Sequence, residues 1–401
     1  MNVSNLKIPF NVPFDATAAY SQILSTSFDA TKLFSGVYAA KVRAHFLESC
    51  QAKEVVLTGA CTHALELAAL LLKLQPGDEV IVPAYTYVSS ANAFELFGAK
   101  VIFCDSLPDS PNMDMAQLES LITPKTRAVV VVHYAGISVD MDKLLKLTRE
   151  RGVLLIEDAA QGVHAFYKNK PLGSFGDLAV LSFHETKNVT CGQGGALLIN
   201  NPKFIDRAIV LKNVGTNRHR FFLGLEDKYT WIDSGSVINL PELCCAYLYP
   251  QLVDVAAITQ KRVQLWQNYY DALLPLAKDG CFTLPALHKY NKHNGHIFFI
   301  CLNSKSDRDD LLGYMKDQGV IATFHYAGLH QSPYYTQKYG EQPRLPNAEK
   351  FSDRLLRLPL YAALTATEQD YVVKMLRQFF ERQKGQTKPT PSARQKTVVS
   401  G

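Results

Sequence analysis

Lys187 lies in the string Ser182-Phe183-His184-Glu185-Thr186-Lys187-Asn188, with Gly192-Gln193-Gly194-Gly195 just after it and Glu157-Asp158-Ala159-Ala160-Gln161 upstream. A lysine amine can form a Schiff base with an aldehyde, and a carboxylate can keep a pyridine nitrogen protonated so that the ring accepts electrons from a carbanion. Pyridoxal phosphate makes both demands of a protein. One lysine near glycines would say little, since most lysines are surface charges and any tight turn uses Gly. The order carries the weight: a strand ending at Asp158, a second ending at Ser182, then the lysine and the turn.

Asp158 follows the apolar run 153–156, which draws its carboxylate toward a buried site. A buried charge is costly unless a cation neutralises it, and a pyridinium nitrogen is such a cation. Glu157 points the other way along a strand and reads as structural. Gln161 suits a donor to the cofactor's phenolic oxygen, or else a helix-cap or surface amide. Ser182 and the segment Ala60-Cys61-Thr62, which opens a helix after a strand, suit a phosphate, because helix N-termini present unpaired N–H groups to anions. A plain N-cap by Thr62 is the competing account. Tyr87, at a third strand end, suits stacking on a pyridine ring or simple core packing.

These residues need a scaffold that gathers strand ends. From residue 55 onward, short apolar runs at 55–57, 80–82, 101–104, 128–132 and 153–156 alternate with helix-like stretches at 64–72, 88–97, 115–122 and 141–150. Runs this continuous predict a mainly parallel sheet covered on both faces, an α/β fold in which ligands collect at the carboxyl ends of strands. After residue 201 the rhythm changes. Residues 202–213 and 240–277 read as helices, the latter holding a plausible hinge, 296–302 as a strand, and 307–318, 351–356 and 368–382 as helices. The expected organisation is a large α/β domain over 1–250, a smaller α+β domain over 251–383, and a disordered tail over 384–401.

The charge balance agrees with a small-molecule enzyme. Of the net charge of +5, four units sit in Lys384, Lys388, Arg394 and Lys396, so the body is nearly neutral and nucleic-acid binding has little support. A hydrophobic fraction of 47% and a charged fraction of 20% are those of a soluble globular protein, without an apolar run of the ~20 residues that span a bilayer. Residues 1–13 lack the pattern of a secretory signal, so a cytoplasmic location is expected. Eight scattered cysteines without a C-x-x-C pair read as free thiols, with no metal site.

Taken together, the chain resembles the DegT-type, pyridoxal-phosphate-dependent nucleotide-sugar aminotransferases of fold type I, from Ile8-Pro9-Phe10-Asn11 to about residue 382. The closer likeness is to members that convert a dTDP-4-keto-6-deoxyhexose to dTDP-4-amino-4,6-dideoxygalactose. It rests on segments such as Cys61-Thr62-His63-Ala64-Leu65-Glu66, Ser90-Ala91-Asn92-Ala93-Phe94, His133-Tyr134-Ala135-Gly136 and Asp227-Lys228-Tyr229-Thr230-Trp231. The resemblance implies a seven-stranded, mainly parallel sheet and the aspartate aminotransferase-like fold. It implies Lys187 as the Schiff-base lysine, Asp158 at the pyridine nitrogen, Gln161 at the phenolic oxygen and Tyr87 as the stacking aromatic, with Ser182, Cys61 and Thr62 at the phosphate. Asn239 would reach the phosphate from the neighbouring subunit of a homodimer with shared active sites. Asn217, Arg218, Lys228 and His325 would bind the sugar nucleotide, and L-glutamate would be the amino donor. Gln193 and Tyr87 stand where relatives tend to have glutamate and phenylalanine. A 4-amino glucose epimer, a 3-amino sugar, or a pyridoxal-phosphate-binding regulator without turnover are the alternatives.

Overall fold

A computed structural model describes residues 8–34 and 36–386 of the chain. Seven strands form the central sheet: β1 (Glu54–Thr58), β2 (Glu79–Pro83), β3 (Lys100–Cys104), β4 (Thr126–Val132), β5 (Leu154–Asp158), β6 (Leu178–Ser182) and β7 (Gly195–Ile199). Their order across the sheet is β1-β7-β6-β5-β4-β2-β3, and only β7 runs antiparallel to its neighbours.

The valine run of β4 illustrates why the sheet is covered on both sides. Ala128 and Val130 enter one apolar core while Val129 and Val131 enter another on the opposite face, all fully buried. Strand side chains alternate between faces, so a strand apolar at every position can be stable only between two helical layers. The helix Cys61–Leu72 supplies part of one layer, burying Ala64, Leu65, Ala68, Leu71 and their neighbours. Because six strands share a direction, their carboxyl ends lie along one edge. The antiparallel β7 begins there, with Gly195 in register with Thr58 on one side and Ser182 on the other.

The segment expected to hold one or two long helices contains two, Glu242–Val253 and Val255–Lys278. The second carries Val255 and Ile258 into one core and Leu265, Trp266 and Tyr269 into the C-terminal core. A three-stranded antiparallel sheet, Phe282–Thr283, Phe298–Leu302 and Leu355–Leu358, backs that C-terminal core. The helix expected over 351–356 is displaced: the helix is Pro346–Arg354, and Leu355–Leu358 is a strand paired with Phe298–Leu302. The last helix runs from Ala366 to Gln386, so residues 384–386, expected in the tail, belong to it. The rest of the expected tail, 387–401, lies outside the described residues. Among the described residues no helix is long and apolar enough to cross a membrane.

Candidate active site

At the carboxyl edge of the sheet lies a cavity of about 480 Å³. Eight of the residues singled out in the sequence line it: Cys61, Thr62, Tyr87, Asp158, Gln161, Ser182, Lys187 and His325. Asn217, Arg218, Lys228 and Asn239 stand outside it. Arg218 and Asn239 line a second cavity of about 420 Å³. Lys228 is exposed, and Asn217 is buried in its own loop, its Oδ1 accepting the Thr230 N–H at 2.7 Å.

Asp158 closes strand β5 and is buried. Its Oδ2 accepts from the Ser90 hydroxyl at 2.7 Å and its Oδ1 from the Ala160 N–H at 3.1 Å. The Ser90 hydroxyl also lies 3.0 Å from that of Thr86, which extends the chain of hydroxyls. Among the described residues no Lys, Arg or His forms an ion pair with Asp158. A buried carboxylate with two neutral donors and no cation has room for a positively charged ligand atom.

The neighbouring Glu157 is turned to the other face. His133 Nε2 lies 2.8 Å from its carboxylate, and the N–H groups of Gly173, Phe175 and Gly176 donate to it at 2.8, 2.6 and 2.7 Å. Burial works against its charge, but the bond and charge of His133 and these backbone donors outweigh it and hold Glu157 below its ordinary value. The alternation of a strand thus gives one carboxylate to the site and the next to its foundation.

Lys187 follows β6 on a short turn whose N–H donates to His184 O at 2.9 Å. Burial pulls its ammonium below the ordinary lysine value, against the opposite influence of Cys61 and Asp158. Gln161 is held by both ends of its amide: Oε1 accepts the Ala135 N–H at 2.6 Å and Nε2 donates to the Tyr326 hydroxyl at 3.1 Å. Ala135 takes a left-handed conformation, φ 59°, in the turn that follows β4. Tyr87 is 58% exposed at the cavity's mouth, its ring 6.2 Å from that of Tyr326. His325 stacks on Tyr326 and its Nδ1 lies 2.6 Å from the Tyr134 hydroxyl. Burial, with Arg357 and Lys187 nearby, pushes His325 well below its ordinary value.

The helix Cys61–Leu72 begins without a side-chain cap, its N-cap residue being Ala60. Thr62 turns its hydroxyl to that of Ser89, 2.9 Å away, and so does not cap. The first N–H groups of the helix are left for an anion. Gly195 makes this end possible: a Cβ there would lie 2.5 Å from Cys61 N and 2.7 Å from Ala60 C. Only a glycine lets β7 pass so close beneath the helix start, beside Ser182.

A model of the DegT/DnrJ/EryC1/StrS aminotransferase family matches residues 16–377. The chain belongs to this family. It is 30% identical over 378 residues to the spore coat polysaccharide biosynthesis protein SpsC of Bacillus subtilis (strain 168), covering 92% of this chain and 96% of SpsC. The structure of DesV from S. venezuelae is 29% identical with a TM-score of 0.82, covering 94% of this chain and 99% of DesV. The putative sugar aminotransferase Spr1654 from Streptococcus pneumoniae, in its apo-form, shares the fold at 23% identity and a TM-score of 0.86, over 95% of this chain and 100% of that one. Spr1654 has also been solved in PLP and PMP forms. The chain is therefore a fold type I, pyridoxal-phosphate-dependent sugar aminotransferase.

The DegT-family site fits its cofactor. An uncapped helix start beside the Ser182 hydroxyl suits the phosphate, an unpaired buried carboxylate suits the protonated ring nitrogen, and the Lys187 amine shares the same cavity. Sequence reasoning passed over several lining residues. Thr86 carries a weak signal as a hydroxyl just past a strand end, as does Ser90, which backs Asp158 without lining the cavity, and Phe10 and Asn11 arrive from the N-terminal segment. His296, whose Nδ1 meets Asn188 Oδ1 at 2.9 Å, and Arg357 come from the C-terminal part of the chain. No local pattern ties those two to Lys187.

Proposed function

We propose that this aminotransferase moves the amino group of L-glutamate to the 4-keto carbon of a dTDP-4-keto-6-deoxyhexose. The products are dTDP-4-amino-4,6-dideoxygalactose, for a surface polysaccharide, and 2-oxoglutarate. The observation that carries the reading is the shared cavity, which brings together the Lys187 amine, the buried Asp158 that forms no ion pair, and an uncapped helix start. Membership of the family supports the reaction class, and likeness to SpsC supports a role in polysaccharide formation. The segments quoted above support the sugar nucleotide.

When bound, pyridoxal phosphate supplies an electron sink that lets the α-proton of an amino acid leave. Lys187 would anchor the cofactor and, when its amine is free, would take and hold the proton of the amino-acid α-carbon. Its lowered basicity is what a base working near neutrality needs. Asp158, oriented by Ser90 and Ala160, keeps the ring nitrogen protonated. Gln161 would donate to the phenolic oxygen, Tyr87 would stack on the ring, and Ser182 with the Cys61 and Thr62 N–H groups would hold the phosphate.

In this reading Asn239 reaches the phosphate of a neighbouring subunit, so the working unit is a homodimer with shared sites. Asn217, Arg218, Lys228 and His325 bind the sugar nucleotide. That the first three lie away from their own chain's cavity supports their serving the partner's. The same reading keeps a large domain over 1–250 and a smaller one over 251–383, supported by the long helix that feeds both cores.

The test is to incubate the holoenzyme with L-glutamate and dTDP-4-keto-6-deoxyglucose and to identify the sugar by NMR. The axial 4-amino product, of galacto configuration, is expected. A gluco product, an amine at C3, or no amination would overturn the assignment of substrate or product.

A further inference from the structure

We propose that His296 is a positioning residue for Lys187: its ring accepts a hydrogen bond from the lysine amine whenever that amine is free, and it steadies the turn from which the lysine extends. The inference rests on the aminotransferase reading above and concerns the same cavity. His296 lines that cavity and is buried. Its Nδ1 lies 2.9 Å from Oδ1 of Asn188, the residue next to Lys187. Asn188 is itself held, its Nδ2 donating to Asn294 O at 3.0 Å. That bond fixes the orientation of the amide, so Oδ1 is the acceptor and Nδ1 of His296 the donor.

The histidine stands on a fixed base. Arg262, from the helix Val255–Lys278, donates through Nε to Gly295 O at 3.1 Å and through Nη2 to His296 O at 2.9 Å. Asn294 takes the His296 N–H on Oδ1 at 3.1 Å, and its Nδ2 donates to Gln161 O and Val163 O at 2.9 and 2.8 Å. Gly295, at φ 61°, lets the chain run against the helix, since a Cβ there would lie 2.6 Å from the Arg262 backbone. Three consecutive residues thus fasten the Lys187 turn and the Gln161 loop to the long helix. Asn188, Arg262, Asn294 and His296 are all buried, where polar groups persist only when paired.

One atom of this set is left over. With the proton on Nδ1, Nε2 of His296 carries a lone pair, and among the described residues nothing donates to it. Burial, then the charges of Lys187, Arg262 and Arg357, push the ring well below the ordinary histidine value, which opposes a second proton. The Lys187 amine is the matching donor. It shares the cavity, and among the described residues it enters no ion pair. Asp158 is a poor substitute, because its two oxygens already accept from Ser90 and Ala160 and its charge suits the ring nitrogen. A lysine that takes a proton becomes an ammonium in a half-buried site and needs an acceptor there. An uncharged imidazole supplies one without the negative charge that would raise the lysine's basicity and hold the proton back.

The test compares two forms of the holoenzyme carrying isotope-labelled histidine: the pyridoxal-phosphate form, in which the lysine is engaged, and the pyridoxamine-phosphate form, in which it is free. The Nε2 resonance of His296, identified by its loss in His296→Gln or His296→Asn, should move toward that of a hydrogen-bonded acceptor in the second form. In single-turnover absorbance measurements, His296→Asn keeps a donor for Asn188 but places nothing at Nε2. It should slow the L-glutamate and keto-sugar half-reactions alike, by about ten- to a hundredfold, because one lysine serves both. Half-saturating L-glutamate and cofactor affinity should hold, and His296→Gln, whose longer amide reaches toward the Nε2 position, should recover part of the rate. An Nε2 resonance that is the same in both forms, or a loss confined to one half-reaction, would overturn the proposal. Variants that lose activity only by losing cofactor would overturn it too, since that marks a purely structural residue. A parent enzyme inert to L-glutamate would instead overturn the donor reading. The two forms are then prepared by loading either cofactor directly, and the resonance comparison still decides the role of His296.

Discussion

The two cavities of this chain are similar in volume, about 480 and 420 Å³, but they are built in opposite ways. The first collects the ends of strands β1, β5 and β6, and its polar groups are held from behind by buried bonds such as Ser90 to Asp158 and Ala135 to Gln161. The second lies against the edge strand β1, through Val55 and Leu57, and gathers Arg43, Lys212, Arg218 and His219, with Glu54 behind the lining paired to Arg43 at 2.7 Å. Beside it runs the segment 214–237, which exposes Phe222 at 72%, Trp231 at 78% and Val237 at 65%. Large apolar side chains left in water along such a cavity fit the proposal that a neighbouring subunit covers this surface. The cofactor end of the site is prebuilt within one chain. In the proposed reading the other end is completed by a neighbouring subunit.

The sharpest break in this comparison comes from the first cavity. Lys187→Ala should lose the bound cofactor's characteristic visible absorbance and about 10⁴-fold or more of turnover, because anchor and base are one residue. Full turnover in that variant would remove Lys187 from the chemistry. The foundation beneath it should matter next. Glu157→Gln leaves His133 and the N–H groups of Gly173, Phe175 and Gly176 facing an amide, and breaking so buried a pair costs about 3–5 kcal/mol. The folded-state value of Glu157 lies below its ordinary 4.5, so its contribution is fully present above pH 4.5 and is lost as pH falls through the lowered folded value. Urea denaturation should therefore find a large deficit in the variant at pH 7 that shrinks in acid. A deficit independent of pH would mean that the carboxylate charge is not what holds the turn.

The second cavity should give smaller effects that depend on a partner. Asn239→Ala should weaken cofactor affinity by roughly ten- to a hundredfold, the worth of one hydrogen bond to a charged group. Mixed with Lys187→Ala subunits and reassembled, it should yield one working site per mixed dimer, since the intact lysine and the intact asparagine then come from different chains. Activity no higher than that of the Asn239→Ala parent, with subunit exchange confirmed, would mean that Asn239 serves its own chain or no site. Last, Phe222→Ser with Trp231→Ser should leave the fold of each subunit intact, because both side chains stand in water, while raising the dimer dissociation constant by about tenfold or more. Sedimentation that shows no change in self-association would free this segment of any role in an interface.

The sequence by itself determined the parts of this protein that are local. Apolar runs alternating with helical stretches foretold the strands and helices between residues 54 and 158 to within a few residues, because a strand buried on both faces must be apolar throughout. The same logic separated Asp158 from Glu157, since neighbouring strand residues face opposite ways. Asp158, Ser182 and Lys187 could be grouped because strand ends in a parallel sheet share an edge.

Tertiary structure alone decided the rest. Leu355 and Leu356, read as the end of a helix over 351–356, belong instead to the strand Leu355–Leu358, because the edge of Phe298–Leu302 offers unpaired backbone groups. Arg357 and His296 reach the cavity across a domain's width of chain, which no spacing rule can express. Asn217, Arg218, Lys228 and Asn239 carry the right chemistry for a ligand, yet packing turns them away from their own chain's cavity. Residue type says what a side chain can bind. The direction in which the fold aims it, into its own cavity or out toward another molecule, is settled by packing between segments far apart in sequence.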